Sequence, residues 1–172
     1  MFKKHDEAVY LPISDITVLT NPDIDKLIEL AKNSSTGRAR YLLHHDQDDS
    51  LHEMIIALPR ESCDIPHVNF KSGKSFQILR GSMAVMLFSD DGETITPIRL
   101  EVGQPAETNC MVRLSKPVWH TIIPLTDYVV FMETISGPFA GNQFAPWAPD
   151  KNMSEEYATF KSCLYNIAKS AN

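Results

Sequence analysis

The chain is expected to form an all-β barrel or sandwich with a helix on either flank. Three observations lead to this. Short apolar runs recur from Arg38 to about Ile135, each bounded by Gly, Pro, Asn, Asp or Ser. One of them, Met83-Ala-Val-Met-Leu-Phe88, is apolar on both faces, which suits a strand covered on both sides. Outside this region the apolar spacing changes to that of amphipathic helices.

The elements follow in order. Asn21-Pro22 predicts a helix start, with Asn21 as N-cap and Pro22 at the first helical position. Asp23 and Asp25 sit at the positive end of its dipole. Ile24, Leu27, Ile28 and Ala31 form one apolar face, and Lys32-Asn33 to Gly37 ends the helix. Strands are expected at 38–44, 51–58, 75–79, 82–89, 94–100, 108–114, 119–124 and 128–135. The turns between them carry Asp46-Gln-Asp-Asp-Ser, Pro59, Lys71-Ser-Gly73, Asp90-Asp-Gly92, Gly103-Gln-Pro105, Ser115-Lys-Pro117 and Leu125-Thr-Asp127. Asp91-Gly92 is the strongest hairpin signal among them. After Gly137-Pro138, the stretch Phe139 to Asp150 has no period and is rich in Pro and aromatics. A last helix is expected over 154–168, with Tyr157, Phe160, Leu164 and Ile167 packed on the barrel. One domain is expected, in three stretches: 1–37 as an N-terminal strand and helix segment, 38–136 as the barrel, 137–172 as a covering segment and helix.

Composition narrows the function. Sixteen basic and 22 acidic residues give a net charge of −6, which argues against nucleic acid as a main partner. No run approaches the roughly 18 apolar residues of a membrane span. Met1-Phe-Lys-Lys-His-Asp-Glu has no apolar stretch behind it, so no secretory signal is expected. Cys63, Cys110 and Cys163 are odd in number and far apart, which predicts reduced thiols in a cytoplasmic protein. Gly73-Lys74-Ser75 is not a phosphate loop, because Val68 stands where its first Gly should be.

One constellation can carry chemistry. His67 and Asn69 are two apart on an extended segment and project together. The Lys74-Phe76-Ile78 phase faces them from the next strand, and His120 comes from a later one. Imidazole nitrogens suit divalent Zn, Fe, Mn or Ni. Asn69 offers a weak carbonyl ligand, but a protonated Lys74 has no lone pair and repels a cation. Three readings stay open for His67 and His120. They are structural histidines in a retired site, ligands of a metal completed by Asn69 and water, or parts of a metal-free pocket. His52, in phase with Met54 and Ile56, and Trp119 are further candidates for ligand contact. Glu133 is either an inward carboxylate or a rim residue. His44-His45 suits a turn. Phe144 and Trp147 either cover the barrel or stack on a sugar.

The spacing His67-x-Asn69, then Lys74, then Gly81, then Trp119-His120 resembles the two-part metal motif of cupins. In that motif the matching positions hold His, His, Glu, Gly and His. Arg38-Ala-Arg40, Leu51-His-Glu-Met-Ile-Ile-Ala57, Gly137-Pro138-Phe139 and Phe144-Ala-Pro-Trp-Ala-Pro149 occur in the order seen in WbuC-type cupins, a resemblance covering roughly residues 38–150. The resemblance implies a cupin-type antiparallel β-barrel (jelly roll) with a metal pocket, here expected to serve as a small-molecule pocket. It further implies a role in polysaccharide (O-antigen-like) metabolism and a homodimer. The chain departs from the family at Asn69 and Lys74, at Glu61 where a Gly is usual, and at Ser115-Lys116-Pro117 where Pro-x-Gly is usual. A divalent metal is therefore less favoured than in typical cupins. Lys74 is expected to take over part of its charge, because a metal beside one glutamate and a lone lysine both carry +1. His67, Lys74 and His120 are then the candidate catalytic groups. Asn69, His52, Phe76 and Trp119 are the candidate ligand contacts, and His67, Asn69 and His120 the candidate metal ligands. Two classes remain open: an enzyme acting on a small anionic or sugar-related metabolite, and a non-catalytic binding protein.

Overall fold

The structure, a computed structural model, describes residues 2–70, 73–103 and 108–170. The turns expected at Lys71-Ser72 and Gln104-Pro105 lie outside them. Two sheets face each other. The seven-stranded sheet has the order β1 (Phe2–Asp6), β2 (Val9–Pro12), β3 (Ala39–Leu42), β4 (Leu51–Pro59), β11 (Tyr128–Ser136), β6 (Lys74–Arg80), β9 (Met111–Leu114). The five-stranded sheet has the order β12 (Gln143–Phe144), β5 (His67–Val68), β10 (Trp119–Pro124), β7 (Ser82–Phe88), β8 (Thr94–Glu101). The pairing is antiparallel except between β2 and β3, which run parallel. Helix α1 (Asn21–Lys32) makes the crossover that a parallel pair requires.

The core between the sheets is built from Phe76, Ile78, Met83, Val85, Leu100 and Phe131. Ile24, Leu27 and Ala31 of α1 cover the outside of the larger sheet, against Ala39, Tyr41, Ile55 and Val130. Leu164 and Ala168 of α2 (Ser154–Ser170) cover the smaller sheet, against Ala84, Met86, Phe88 and Trp119. β7 therefore has a core on each side, as its sequence implies. Each large apolar side chain fully buried in these layers contributes about 2 kcal/mol.

Local details refine the expectations. Thr20, not Asn21, caps α1. Its backbone N–H donates to the Asp23 carboxylate at 2.9 Å, so the helix starts one residue earlier and Pro22 takes its second position. The strand expected from 108 begins at Met111, although Asn109 still bridges to Leu100. The Asp91-Gly92 hairpin forms as expected: the Gly92 N–H donates to the Ser89 carbonyl at 3.1 Å, and Gly92 has φ +91°. No helix among the described residues is long and apolar enough to cross a membrane.

Gly81 makes the turn between β6 and β7 at φ +80°. A Cβ there would lie 2.3 Å from Thr126 Oγ1 and 2.7 Å from the Tyr128 carbonyl oxygen. Left-handed backbone strain and this overlap act together. Gly81→Ala is expected to lower stability by about 3 kcal/mol. Urea unfolding at pH 7 measures it, and a change under 1 kcal/mol contradicts this account of the turn.

Candidate functional site

The two sheets each deliver half of the site. In the smaller sheet His67 on β5 stands directly opposite His120 on β10. In the larger sheet Lys74 and Phe76 share one face of β6, and Glu133 on β11 pairs with Phe76. These side chains meet at a cavity of about 420 Å³ between the sheets. That size suits a small organic ligand.

The imidazole rings are 4.6 Å apart and tilted by 56°. Each is oriented by the backbone two residues before it. His67 Nδ1 lies 3.1 Å from the Ile65 carbonyl and His120 Nδ1 lies 2.8 Å from the Val118 carbonyl. A carbonyl only accepts, so both Nδ1 atoms carry the proton and both Nε2 atoms carry a lone pair. His120 Nε2 is buried with no hydrogen-bond partner among the described residues. Burial, reinforced by the Lys74 charge, lowers the His67 pKa to about 4 and the His120 pKa to about 3. Both rings are neutral at pH 7.

Lys74 points inward and is 4% exposed. Its Nζ lies 3.6 Å from Glu133 Oε1 and 5.8 Å from the centre of the Phe76 ring. Glu133 is thus an inward carboxylate. This corrects the charge expectation: Lys74 is not an isolated +1, because Glu133 offsets it.

The remaining candidates divide. Phe76 lines the cavity. Asn69 is buried and borders a narrow recess with Lys74 and His120. Trp119 does not reach the cavity. Strand alternation that sends His120 inward sends Trp119 outward, where its Nε1–H donates to Asp90 at 3.1 Å and its ring packs on Trp147. His52 shares the phase of Met54 and Ile56 but sits at the strand end, away from the cavity lining. It stacks on His44 at 4.1 Å, and its Nε2 lies 3.1 Å from the Gln47 carbonyl. Trp147 covers the smaller sheet from outside, while Phe144 is exposed and meets His67 edge-on at 6.2 Å. The three cysteines are free.

Several lining residues were not among the candidate site residues read from the sequence. Asn142 precedes β12, and its amide oxygen is buried without a partner among the described residues. Arg38 reaches the cavity and is held by Ser62 Oγ at 2.9 Å and by Asp64 at 3.3 Å. Arg40, two residues on, shares its face. The Arg38-Ala-Arg40 alternation was the available clue.

A resident divalent metal does not fit these groups. His67, His120 and Asn69 would supply two nitrogens and one weak amide oxygen, and the Glu133 carboxylate is engaged by Lys74 at 3.6 Å. The ammonium of Lys74 occupies the position where a carboxylate is expected. Among the described residues no three His, Cys, Asp or Glu side chains converge.

A family model described as a domain of unknown function (DUF6016) matches residues 19–100, just under half of the chain. No curated protein matches it. Among solved structures, protein SO0799 from Shewanella oneidensis is similar over 86% of this chain and 98% of its own, at 11% identity and a TM-score of 0.57. A cupin-2 domain protein from Shewanella frigidimarina covers 70% of this chain and 95% of its own, at 13% identity and a TM-score of 0.48. The Cnp3 cupin domain of Schizosaccharomyces pombe covers 58% and 60%, at 14% identity and a TM-score of 0.45. The likeness to SO0799 shows the fold alone. Two facing sheets form a jelly-roll-like sandwich, and His67 and His120 lie on its neighbouring strands β5 and β10.

Proposed function

We propose that this chain is a cupin that binds a hydroxylated, sugar-related metabolite in its barrel cavity without a resident metal. The observation that carries the reading is the buried Nε2 of His120, which has no hydrogen-bond partner among the described residues. An acceptor left unpaired in a low-dielectric site costs about 1–3 kcal/mol. A ligand hydroxyl that donates to it recovers that cost. His67 Nε2 and the Asn142 amide oxygen add further acceptors on the same cavity. A set of acceptors of this kind favours a ligand rich in O–H donors, while Lys74 offers N–H donors to the ligand's oxygens.

Binding is preferred to catalysis for a physical reason. Imidazoles whose conjugate acids titrate at about 4 and about 3 are weak bases at neutral pH. A proton-transferring enzyme is the second reading, favoured by the 3.6 Å contact of Lys74 and Glu133. The resemblance to WbuC-type cupins supports polysaccharide metabolism as the setting, with a cytoplasmic homodimer as the working form.

Titration of untagged protein with a panel of monosaccharides and uronic acids tests the reading, followed by imidazole ¹⁵N resonances. Saturable shifts at Nε2 are expected, and His120→Phe should remove them. Elemental analysis of the same sample should find metal well below one equivalent. Near-stoichiometric metal that disappears in His67→Ala would overturn the metal-free site.

A further inference from the structure

The cavity does not end at the histidines. It runs along the inner face of the larger sheet to β3 and to the turn after β1, where Asp6, Glu7 and Arg40 line it. From β6 to β3 is three strand spacings, roughly 14 Å at the usual separation. Through β4 and β11, the register partner of Arg40 on β6 is Ile78, four residues beyond Lys74. The two ends are thus well separated.

Their chemistry differs. At the inner end Lys74 is offset by Glu133, and the histidines present lone pairs. At the outer end most of the charged groups already have a hydrogen-bond or ion-pair partner. Arg38 is paired with Asp64. The Asp6 carboxylate accepts the Glu7 N–H at 2.7 Å, and the Glu7 carboxylate accepts the Ser35 N–H at 2.8 Å. Arg40 has no ion pair or hydrogen bond from its guanidinium among the described residues, although it lines the cavity and faces solvent. Guanidinium matches the oxygens of phosphate or carboxylate in a two-pronged contact.

We infer that the cavity is built for a two-ended ligand: a sugar whose hydroxyls meet His67 and His120, carrying an anionic group held by Arg40. Arg40 is the specificity residue of this site. The inference rests on the proposed sugar pocket and adds the anionic end. Phosphate esters and uronic carboxylates share the required chemistry, and the spacing favours a phosphate projecting from a monosaccharide over a carboxylate attached to the ring itself.

Calorimetry with matched sets of neutral monosaccharides, their 1-phosphates and their uronic acids provides the test, with inorganic phosphate alone as a further probe. The phosphate ester is expected to bind about tenfold more tightly than its neutral parent, the gain of one charge-assisted contact. Arg40→Gln should erase that gain. Rescue by Arg40→Lys should be partial, since a lysine keeps the charge and loses the fork. A stronger gain from the uronic acid overturns the phosphate assignment. Neutral sugars that bind with no gain from phosphate overturn the inference and leave the pocket reading intact. A phosphate gain that persists in Arg40→Gln overturns the role of Arg40. Binding of inorganic phosphate with no sugar-dependent gain overturns the two-ended ligand, and no binding by any probe overturns both readings.

Discussion

Lowering the pH from 7 to 5 should cost this protein about 2 kcal/mol of stability at each of His67 and His120. The sign follows from where the proton binds. In the folded chain burial, with Lys74 nearby, holds the two rings neutral down to about pH 4 and about pH 3. In the unfolded chain both take up protons near the ordinary value of 6.5. Below that value the unfolded state binds more protons, so stability is full above pH 6.5 and is lost as the pH falls. The loss levels off near pH 4 for His67 and near pH 3 for His120. Asp64, held low by Arg38 and Lys151 against its burial, loses its contribution only in more acid solution. The interval from pH 7 to 5 therefore reports mainly on imidazoles. Urea unfolding across it measures the slope, and a His67→Gln/His120→Gln variant should flatten the curve. A wild-type curve that is flat over the interval would contradict the burial and tautomer assigned to these rings.

Glu133→Leu should destabilise the fold by about 3 kcal/mol, because it leaves the Lys74 ammonium without its carboxylate inside the barrel. Lys74 and Glu133 side chains are only 5% and 15% exposed. The desolvation cost of two charges at such depth largely cancels their attraction. Removing both, as Lys74→Met with Glu133→Leu, should therefore return the stability to within about 1 kcal/mol of the parent. The double variant separates a structural cost from a functional one. It should fold well and bind ligand poorly, since the N–H donors of Lys74 are gone. Equal stability for Glu133→Leu and the parent would mean that water in the cavity already solvates Lys74, and the buried pair would then lose its meaning.

Much of the barrel was legible because its strands are long enough to show a period. β10 begins and ends where the sequence places it, at Trp119 and Pro124, and β7 announces its two cores through an unbroken apolar run. The short strands were not legible. β5 and β12 have two residues each, too few for any alternation, and the expected N-terminal strand could not be placed because β1 reads Phe-Lys-Lys-His-Asp with little apolar content. The histidine pair was legible from motif spacing. Its chemical state was not, since the carbonyls of Ile65 and Val118 set the tautomers. The Lys74–Glu133 pair was half legible: each residue stood out, but the contact joins positions far apart in sequence. Trp119 was misplaced even though alternation beside an inward His120 was enough to send it outward.

The double burial of β7 constrains how the chain can change in length. Met83 and Val85 belong to the inner core, and Ala84, Met86 and Phe88 to the outer one. Adding or deleting one residue within the strand exchanges the two sets beyond that point. Phe88 would then enter the barrel, and Val85 or Leu87 would face α2, so both layers would misfit together. Length variation is therefore confined to the Ser89–Glu93 hairpin and to the loops at the strand ends. The separation of Gly81 from Phe88 is held by two cores at once, and homologues should tolerate insertions after β7 but not within it.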